Sequence, residues 1–429
     1  MNYKKLQIIF AILVFGLSNR QIFAPDLIGY LANWGKWENS SFNQVRNVLN
    51  QVDHINYSFL EPYSDGRVVS VDPESDFQDG LIKSTIATGK PTSLVFGGWL
   101  VKNNQQRPIQ FVGDNSKATG YPQYYPANVF SEVAANKDAR EKFIDEAVSF
   151  ASKNGFKGIE IDWEYPGFPA MQKGNDADFA NFLELMKSLY PKAKKSGLSV
   201  SIAGPAAYGL ILPKINLSEL SKYVDWIGIM TYDYKGYNWS NKTGHHSSLK
   251  PSEGDEGYSA EAVVNYYLSK GVPSNKLILG IALYGRGFGG AQKGSNGLQQ
   301  EFDKNKQILS GNSKDPGLIL WEEILKLPKE NIFWDEKARV PYYFGTFTNV
   351  KGEKHENTFI SFENNRSLCE KGKFIRDKGL KGAMIWDLRP GQEAAIQALK
   401  DGMNGGDCSK YIEKTKDEKI KKNRNLKIV

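Results

Sequence analysis

Eight short β-rich apolar runs, spaced through most of the chain, limit what it can fold into. They are DLIGYL (26–31), DHINYSFL (53–60), TSLVFGG (92–98), GIEIDW (158–163), LSVSIAG (198–204), WIGIMTY (226–232), LILGIAL (277–283) and GAMIWDL (382–388). Several are nearly continuous hydrophobic runs, the pattern of strands covered on both faces by helices. Helical periodicity lies between them. In DAREKFIDEAVSFASKNG (138–155), Phe143, Ile144, Ala147, Val148 and Ala151 make one apolar stripe, and Gly155 suits the stop. In DADFANFLELMKSLY (176–190), Phe179, Phe182, Leu183, Met186 and Leu189 repeat it. Eight such βα units predict an α/β fold, a (β/α)8 TIM barrel rather than a doubly wound sheet.

Two connections exceed what a βα link needs. One is the polar segment 101–130, with NNQQRPIQFVGDNSKATGYPQYYP at its centre. The other separates strands seven and eight by about a hundred residues and holds its own strand-like pieces, ARVPYYFGTFTNV and NTFISFE. Long inserts in compact folds are usually functional. Residues 290–356 read as a small α+β subdomain between strands seven and eight, splitting the barrel into 25–289 and 357–408.

Residues 1–24 have the layout of a secretory signal: two lysines, an apolar run from Leu6 to Leu17, then polar residues. No other segment is long and apolar enough to span a bilayer, so no integral membrane segment is expected after cleavage. The net charge of +7 resides at the ends: residues 1–24 contribute +3 and the basic tail 409–429 contributes +5, leaving −1 on the body. That balance argues against a nucleic-acid partner for the folded part. The tail reads as a flexible end. Two cysteines, Cys369 and Cys408, suit export but cannot build a disulfide framework; their pairing stays open. A secreted monomer is expected.

The fourth run continues as GIEIDWEYPG and places Glu160, Asp162 and Glu164 at alternate positions. On a strand, side chains alternate with period two, so the three carboxylates share one face, opposite Ile159, Ile161 and Trp163. A solvated edge strand is the plain explanation. A parallel barrel offers another, because its chemistry gathers at the C-terminal strand ends, where Asp162 and Glu164 fall. Paired acids at a cleft suit acid–base work on a polar bond, glycoside hydrolysis above all. A magnesium or calcium site competes, but residues two apart on a strand stand about 6.6 Å apart at Cα. His245 and His246, in TGHHSSL, read as structural. No metal or cofactor is expected.

These runs carry a family resemblance. GIEIDWEYPG resembles the DGxDxDWE signature of the family 18 glycoside hydrolases, the chitinases. VFGGW (95–99) is similar to their SxGGW, MTYDYKG (230–236) to MxYDxxG, and YGRGF (284–288) to YGRxF. GAMIWDL carries the strand-eight Trp, and FISFENNRSL matches the segment closing the family's chitinase insertion domain. The resemblance covers nearly all of 26–390. It implies that Glu164 is the general acid/base, and that the substrate's own acetamido oxygen is the nucleophile, as expected for a substrate-assisted enzyme. Asp162, with Tyr232, would hold the acetamido group as it becomes an oxazolinium ion. Trp386 would floor the reacting sugar, and Tyr30, Phe59, Trp99, Met230, Asp233, Tyr284 and Arg286 would line the subsites. The implied substrate is chitin or N-acetylchitooligosaccharides.

Three positions depart from the family pattern: Lys157 and Glu160 stand for two aspartates, and Val95 for the Ser of SxGG. In the family, that Ser and the equivalent of Tyr30 support the middle Asp, which shares a proton with the next. Here the middle acid is one methylene longer and lacks a hydroxyl partner, so Glu160 is expected to titrate with Asp162 and to donate a hydrogen bond to it. A chitin-binding lectin and an endo-β-N-acetylglucosaminidase acting on N-glycans are the competing functions. The family's lectins typically lack the acid that Glu164 supplies, which favours an enzyme.

Overall fold

The computed structural model describes residues 26–34, 42–99, 109–113, 117–118, 126–168, 174–206, 209, 211–252, 258–311, 313 and 315–412. The expected leader and most of the basic tail lie outside these, as does most of the segment 101–130.

All eight runs form strands: β1 (Asp26–Ala32), β2 (His54–Pro62), β3 (Thr92–Gly97), β4 (Gly158–Asp162), β5 (Ser199–Gly204), β6 (Trp226–Ile229), β7 (Leu277–Ala282) and β8 (Gly382–Trp386). Each pairs in parallel with its chain neighbours, and β8 returns to pair with β1, closing the barrel. Alternation sorts the side chains. Leu27, Leu31, Ile159, Ile161 and Trp163 join the outer core beneath the helices, while Ile28, Tyr30, Val95, Ala203, Trp226, Ile278 and Met384 cluster inside the barrel. On β2 the register slips between Ser58 and Leu60. The extra residue re-aims Phe59 to the inner cluster, although Tyr57 and Leu60 both face outward.

The helices run Lys137–Lys153 and Ala177–Lys195 where periodicity placed them. Asn136 caps the first by accepting from the N–H groups of Asp138 and Ala139, and Gly155 follows its end in a left-handed conformation. The second hides a carboxylate in its apolar face: buried Asp178 accepts from Ser131 Oγ at 2.5 Å and from the Gly167 N–H at 3.0 Å, pinning the loop that follows β4.

A second, antiparallel sheet follows β7, in the order Leu318–Ile319, Gly285–Phe288, Lys354–Ser361, Val340–Thr348, Ile332–Asp335. Its strand Gly285–Phe288 leaves β7 after only two residues, so Tyr284 and Arg286 sit where the two sheets meet. Cys369 and Cys408 are disulfide-bonded, their Cα atoms 5.6 Å apart. In the chain-entropy account, closing a 39-residue separation stabilises by about 4 kcal/mol. Among the described residues, no helix is long and apolar enough to cross a membrane.

Candidate active site

Glu160 and Asp162 both point into the barrel from β4, Asp162 as its last residue, and Glu164 lies two residues beyond. Strand β3 meets them in register, Val95 opposite Glu160 and Gly97 opposite Asp162. The fit there is close. A Cβ on Gly97, whose φ is +113°, would stand 2.2 Å from the Asp162 carbonyl oxygen, and the Gly98 N–H donates to that oxygen at 2.8 Å.

Glu160 is buried and well satisfied. Its Oε1 accepts from Tyr30 Oη and from Asn56 Nδ2 (2.9 Å), and its Oε2 accepts from Ser201 Oγ at 2.7 Å. Burial raises its pKa, and these donors oppose the shift. The hydroxyl missing at Val95 is thus replaced from β5, and the extra methylene lets the carboxylate reach it. The expected bond from Glu160 to Asp162 is not formed. Both Glu160 oxygens already have donors, and Asp162 Oδ1 is buried with no hydrogen-bond partner among the described residues. Burial, then Glu164, then Glu160 hold the Asp162 carboxyl well above the ordinary range.

Glu164 is pushed up to about 7, first by burial; the neighbouring Asp233 charge adds to this, while hydrogen bonds from Tyr165 and from the Trp99 backbone oppose it. Asp233 stays ionised. Burial would raise its pKa, but the Arg286 guanidinium holds it far below the carboxylate range through a two-pronged contact, Nε–Oδ1 2.7 Å and Nη2–Oδ2 2.8 Å. Arg286 also reaches Asp315 through Nη1. His246 Nδ1 lies 3.7 Å from Asp233 Oδ1, and His245 bonds Asp335 at 3.0 Å. Both rings are buried between the barrel mouth and the second sheet, in keeping with a structural part.

The aromatic residues contact one another in small groups. Trp386 stacks on Phe59 (centroids 5.7 Å, 20°) and meets Tyr30 edge-on at 5.5 Å; Tyr232 meets Tyr284 edge-on at 6.2 Å. Met230, Tyr165 and Tyr232 pack around the same inner cluster. Trp99, 42% exposed, lies out at the end of β3 against Phe168. The twelve site residues read from the sequence therefore lie at or just inside the C-terminal ends of the barrel strands, with Arg286 delivered by the second sheet. Sequence reasoning missed four neighbours: Tyr165, Asn56, Ser201 and Trp34, which stacks on Phe59 at 5.6 Å. Inward parity would have found Asn56 and Ser201, and Tyr165 stands inside the quoted GIEIDWEYPG.

Residues 26–390 match the family model described as glycosyl hydrolases family 18. The chain belongs to that family. It is a glycoside hydrolase. Chitinase A1 of Niallia circulans is 27% identical over 415 residues, which cover 86% of this chain and 57% of that protein. Chitinase 1 of Aphanocladium album is 27% identical over 416 residues, covering 92% and 90%. The Ostrinia furnacalis Group IV chitinase, solved with allosamidin, superposes with a TM-score of 0.74 over 89% of this chain and all of its own, and its 24% identity bears on fold alone. Catalytic domain 2 of the Group II chitinase from the same insect has a TM-score of 0.73 and 25% identity, covering 90% of this chain and 98% of its own. A mutant of that domain was solved with penta-N-acetylchitooctaose. The (β/α)8 barrel of this chain is thus a family 18 barrel.

Proposed function

We propose that this protein is a chitinase that cleaves β-1,4-linked N-acetylglucosamine chains with retention, using the substrate's acetamido group as nucleophile and Glu164 as acid and then base. The observation that carries the reading is the pair at the mouth. Glu164 keeps its proton to about pH 7, and beside it Asp162 presents a buried oxygen that no donor among the described residues satisfies.

That oxygen is matched by an acetamido N–H. As the acetamido oxygen attacks the anomeric carbon, Glu164 gives its proton to the departing glycosidic oxygen. Positive charge then develops on the ring formed by the acetamido group. The ionised Asp162 carboxylate is the counter-anion to that charge, and the nearby cation in turn lowers the proton affinity of its carboxyl. Tyr232 stays a phenol, since burial first and then Asp162 and Glu164 raise its pKa, and so it remains a hydrogen-bond donor to the same group. Water, deprotonated by Glu164, opens the oxazolinium ion. The supports are the family, the chitinase names of its relatives, and three neighbouring carboxyls whose pKa values burial raises. The reading extends to export by the leader at 1–24 and to action as a monomer on extracellular chitin.

Two inversions at one carbon give net retention. The first product released from an N-acetylchitooligosaccharide is therefore the β-anomer, and glucosamine lacking the acetyl group at the reacting subsite is not cleaved. Proton NMR of fresh product checks this, and α-anomer appearing first overturns the acetamido mechanism.

Glu164 must be protonated to act, so kcat/KM holds below about pH 7 and falls as pH rises through that value. Asp233→Asn removes a negative charge that raises the Glu164 pKa, so the alkaline limb moves to lower pH. Tyr165→Phe removes a hydrogen bond to the anion and moves it to higher pH. A pH–rate profile in which both variants shift the same way contradicts this assignment.

A further inference from the structure

Behind the site, off the catalytic path, lies a carboxylate that glycoside hydrolysis does not use. Asp76 sits in the short turn Glu74–Gln78 and is 1% exposed. It accepts from Tyr57 Oη and Ser70 Oγ, and from Asn33 Nδ2 at 3.0 Å to Oδ1 and 3.2 Å to Oδ2. No Lys or Arg pairs with it among the described residues. A buried carboxylate without a cation is costly, and an apolar filler of similar size commonly serves stability as well. A carboxylate nonetheless does one thing that an amide or an alkyl group does not: it accepts from three donors at once and offers none in return.

The donor that matters is Asn33. Its amide nitrogen has two hydrogens, and the second partner of Nδ2 is the Phe59 carbonyl at 2.9 Å, while the Asn33 backbone N–H donates to the Ser58 carbonyl at 2.5 Å. Asn33 therefore ties the end of β1 to the slipped, re-aimed end of β2. Trp34 follows it in the chain, 37% exposed, stacked on Phe59 at 5.6 Å and 29° and 6.0 Å from Trp386. Trp34, Phe59 and Trp386 form one run of rings whose spacing depends on where Asn33 holds the two strand ends.

We propose that Asp76 is a positioning residue for the substrate groove: through Asn33 it fixes Trp34 against Phe59, and so sets the separation between the sugar platform at Trp386 and the ring beyond it. This rests on the chitinase reading above. A substrate reaching only the Trp386 platform does not feel the clamp, whereas a longer chain that also lies on Trp34 does. In Asp76→Asn, the amide turns a donor toward three donors, and the Asn33 side chain loses its anchor.

The test is steady-state kinetics and calorimetric binding with the N-acetylglucosamine dimer linked to a chromogenic leaving group and with the hexamer, for wild type, Asp76→Asn and Asn33→Ser. The expected result for Asp76→Asn is a rise of roughly tenfold in KM and Kd for the hexamer, the scale of one lost charge-assisted bond. Values for the dimer, and kcat for both, stay within about twofold, because the interaction is uniform in ground and transition states. Asn33→Ser leaves Tyr57 and Ser70 on the carboxylate but cuts the link to Phe59, and gives the same length-dependent loss. It carries the test if Asp76→Asn does not fold. Equal losses at both lengths, or a change in thermal midpoint alone, overturn the positioning role while leaving the chitinase reading intact. Wild-type protein that neither binds nor cleaves either oligomer overturns both.

Discussion

Glu164→Gln is expected to abolish turnover while leaving substrate binding in place. The amide preserves the shape of the side chain and the contact with Tyr165, but has no proton to give to the departing oxygen. Proton transfer from a placed acid is worth roughly 10²–10⁴-fold in rate, and in the proposed mechanism the same group later deprotonates water, so both halves of the cycle suffer. In the proposed reading binding rests elsewhere, on Trp386, Tyr232 and the Asp233–Arg286 pair. The variant should therefore bind N-acetylchitooligosaccharides in calorimetry with about wild-type affinity and release almost no product over hours. A tenth or more of wild-type activity would show that Glu164 is not the acid. Loss of binding together with turnover would show that the carboxylate shapes the site rather than acting in it.

The barrel was legible because its strands are covered on both faces. A parallel strand between core and helices has to be apolar nearly throughout, so β3, β6 and β7 stand out as unbroken runs, and alternation adds which side faces in. What alternation does not show is a slip. Phe59 follows Tyr57 by two residues, so strict period two puts both on one face, yet Tyr57 packs outside and Phe59 inside, because of the irregularity between Ser58 and Leu60. The strand Gly285–Phe288 was hidden for another reason. It begins two residues after β7 and carries two glycines, so by pattern alone it passes for the fraying end of a barrel strand.

Of the site, the sequence displays what one strand supplies and conceals what several strands assemble. Glu160, Asp162 and Glu164 announce themselves by spacing within ten residues. The donors that satisfy Glu160 come from β1, β2 and β5, and no local pattern joins Tyr30, Asn56 and Ser201. Val95 therefore suggested a missing hydroxyl and a carboxyl free to donate to Asp162. Instead, the longer side chain turns to Ser201, and Asp162 keeps an oxygen unpartnered among the described residues. Asp76 and Asp178 were equally hidden. Each is one of several acids in a polar or amphipathic stretch, distinguished only by the hydroxyl, amide and backbone donors that the fold brings to it.

The largest effect on stability is expected away from the chemistry, at Lys371. This side chain and Glu363 are both fully buried and paired, Lys371 on the helix Asn365–Lys378 and Glu363 just before it. Lys371 Nζ also donates to the Ser247 carbonyl at 2.5 Å, and the carboxylate accepts from Ser247 Oγ and Ser367 Oγ, each at 2.6 Å. The cluster fastens the TGHHSSL segment, which holds His246 beside Asp233, to the barrel wall. Lys371→Met keeps the aliphatic stem but removes the charge, leaving a buried carboxylate held by two hydroxyls alone. Removing one partner of a buried pair typically costs about 3–5 kcal/mol, most of it the desolvation of the charge left behind. Denaturant titration should show that loss as a lower midpoint. Adding Glu363→Gln removes the stranded charge, so the double variant should be more stable than Lys371→Met alone, the sign of coupling between contacting groups. Strict additivity of the two substitutions would mean that Lys371 serves only as packing. A double variant that regains stability without regaining activity would place the value of the pair in holding the TGHHSSL segment against Asp233.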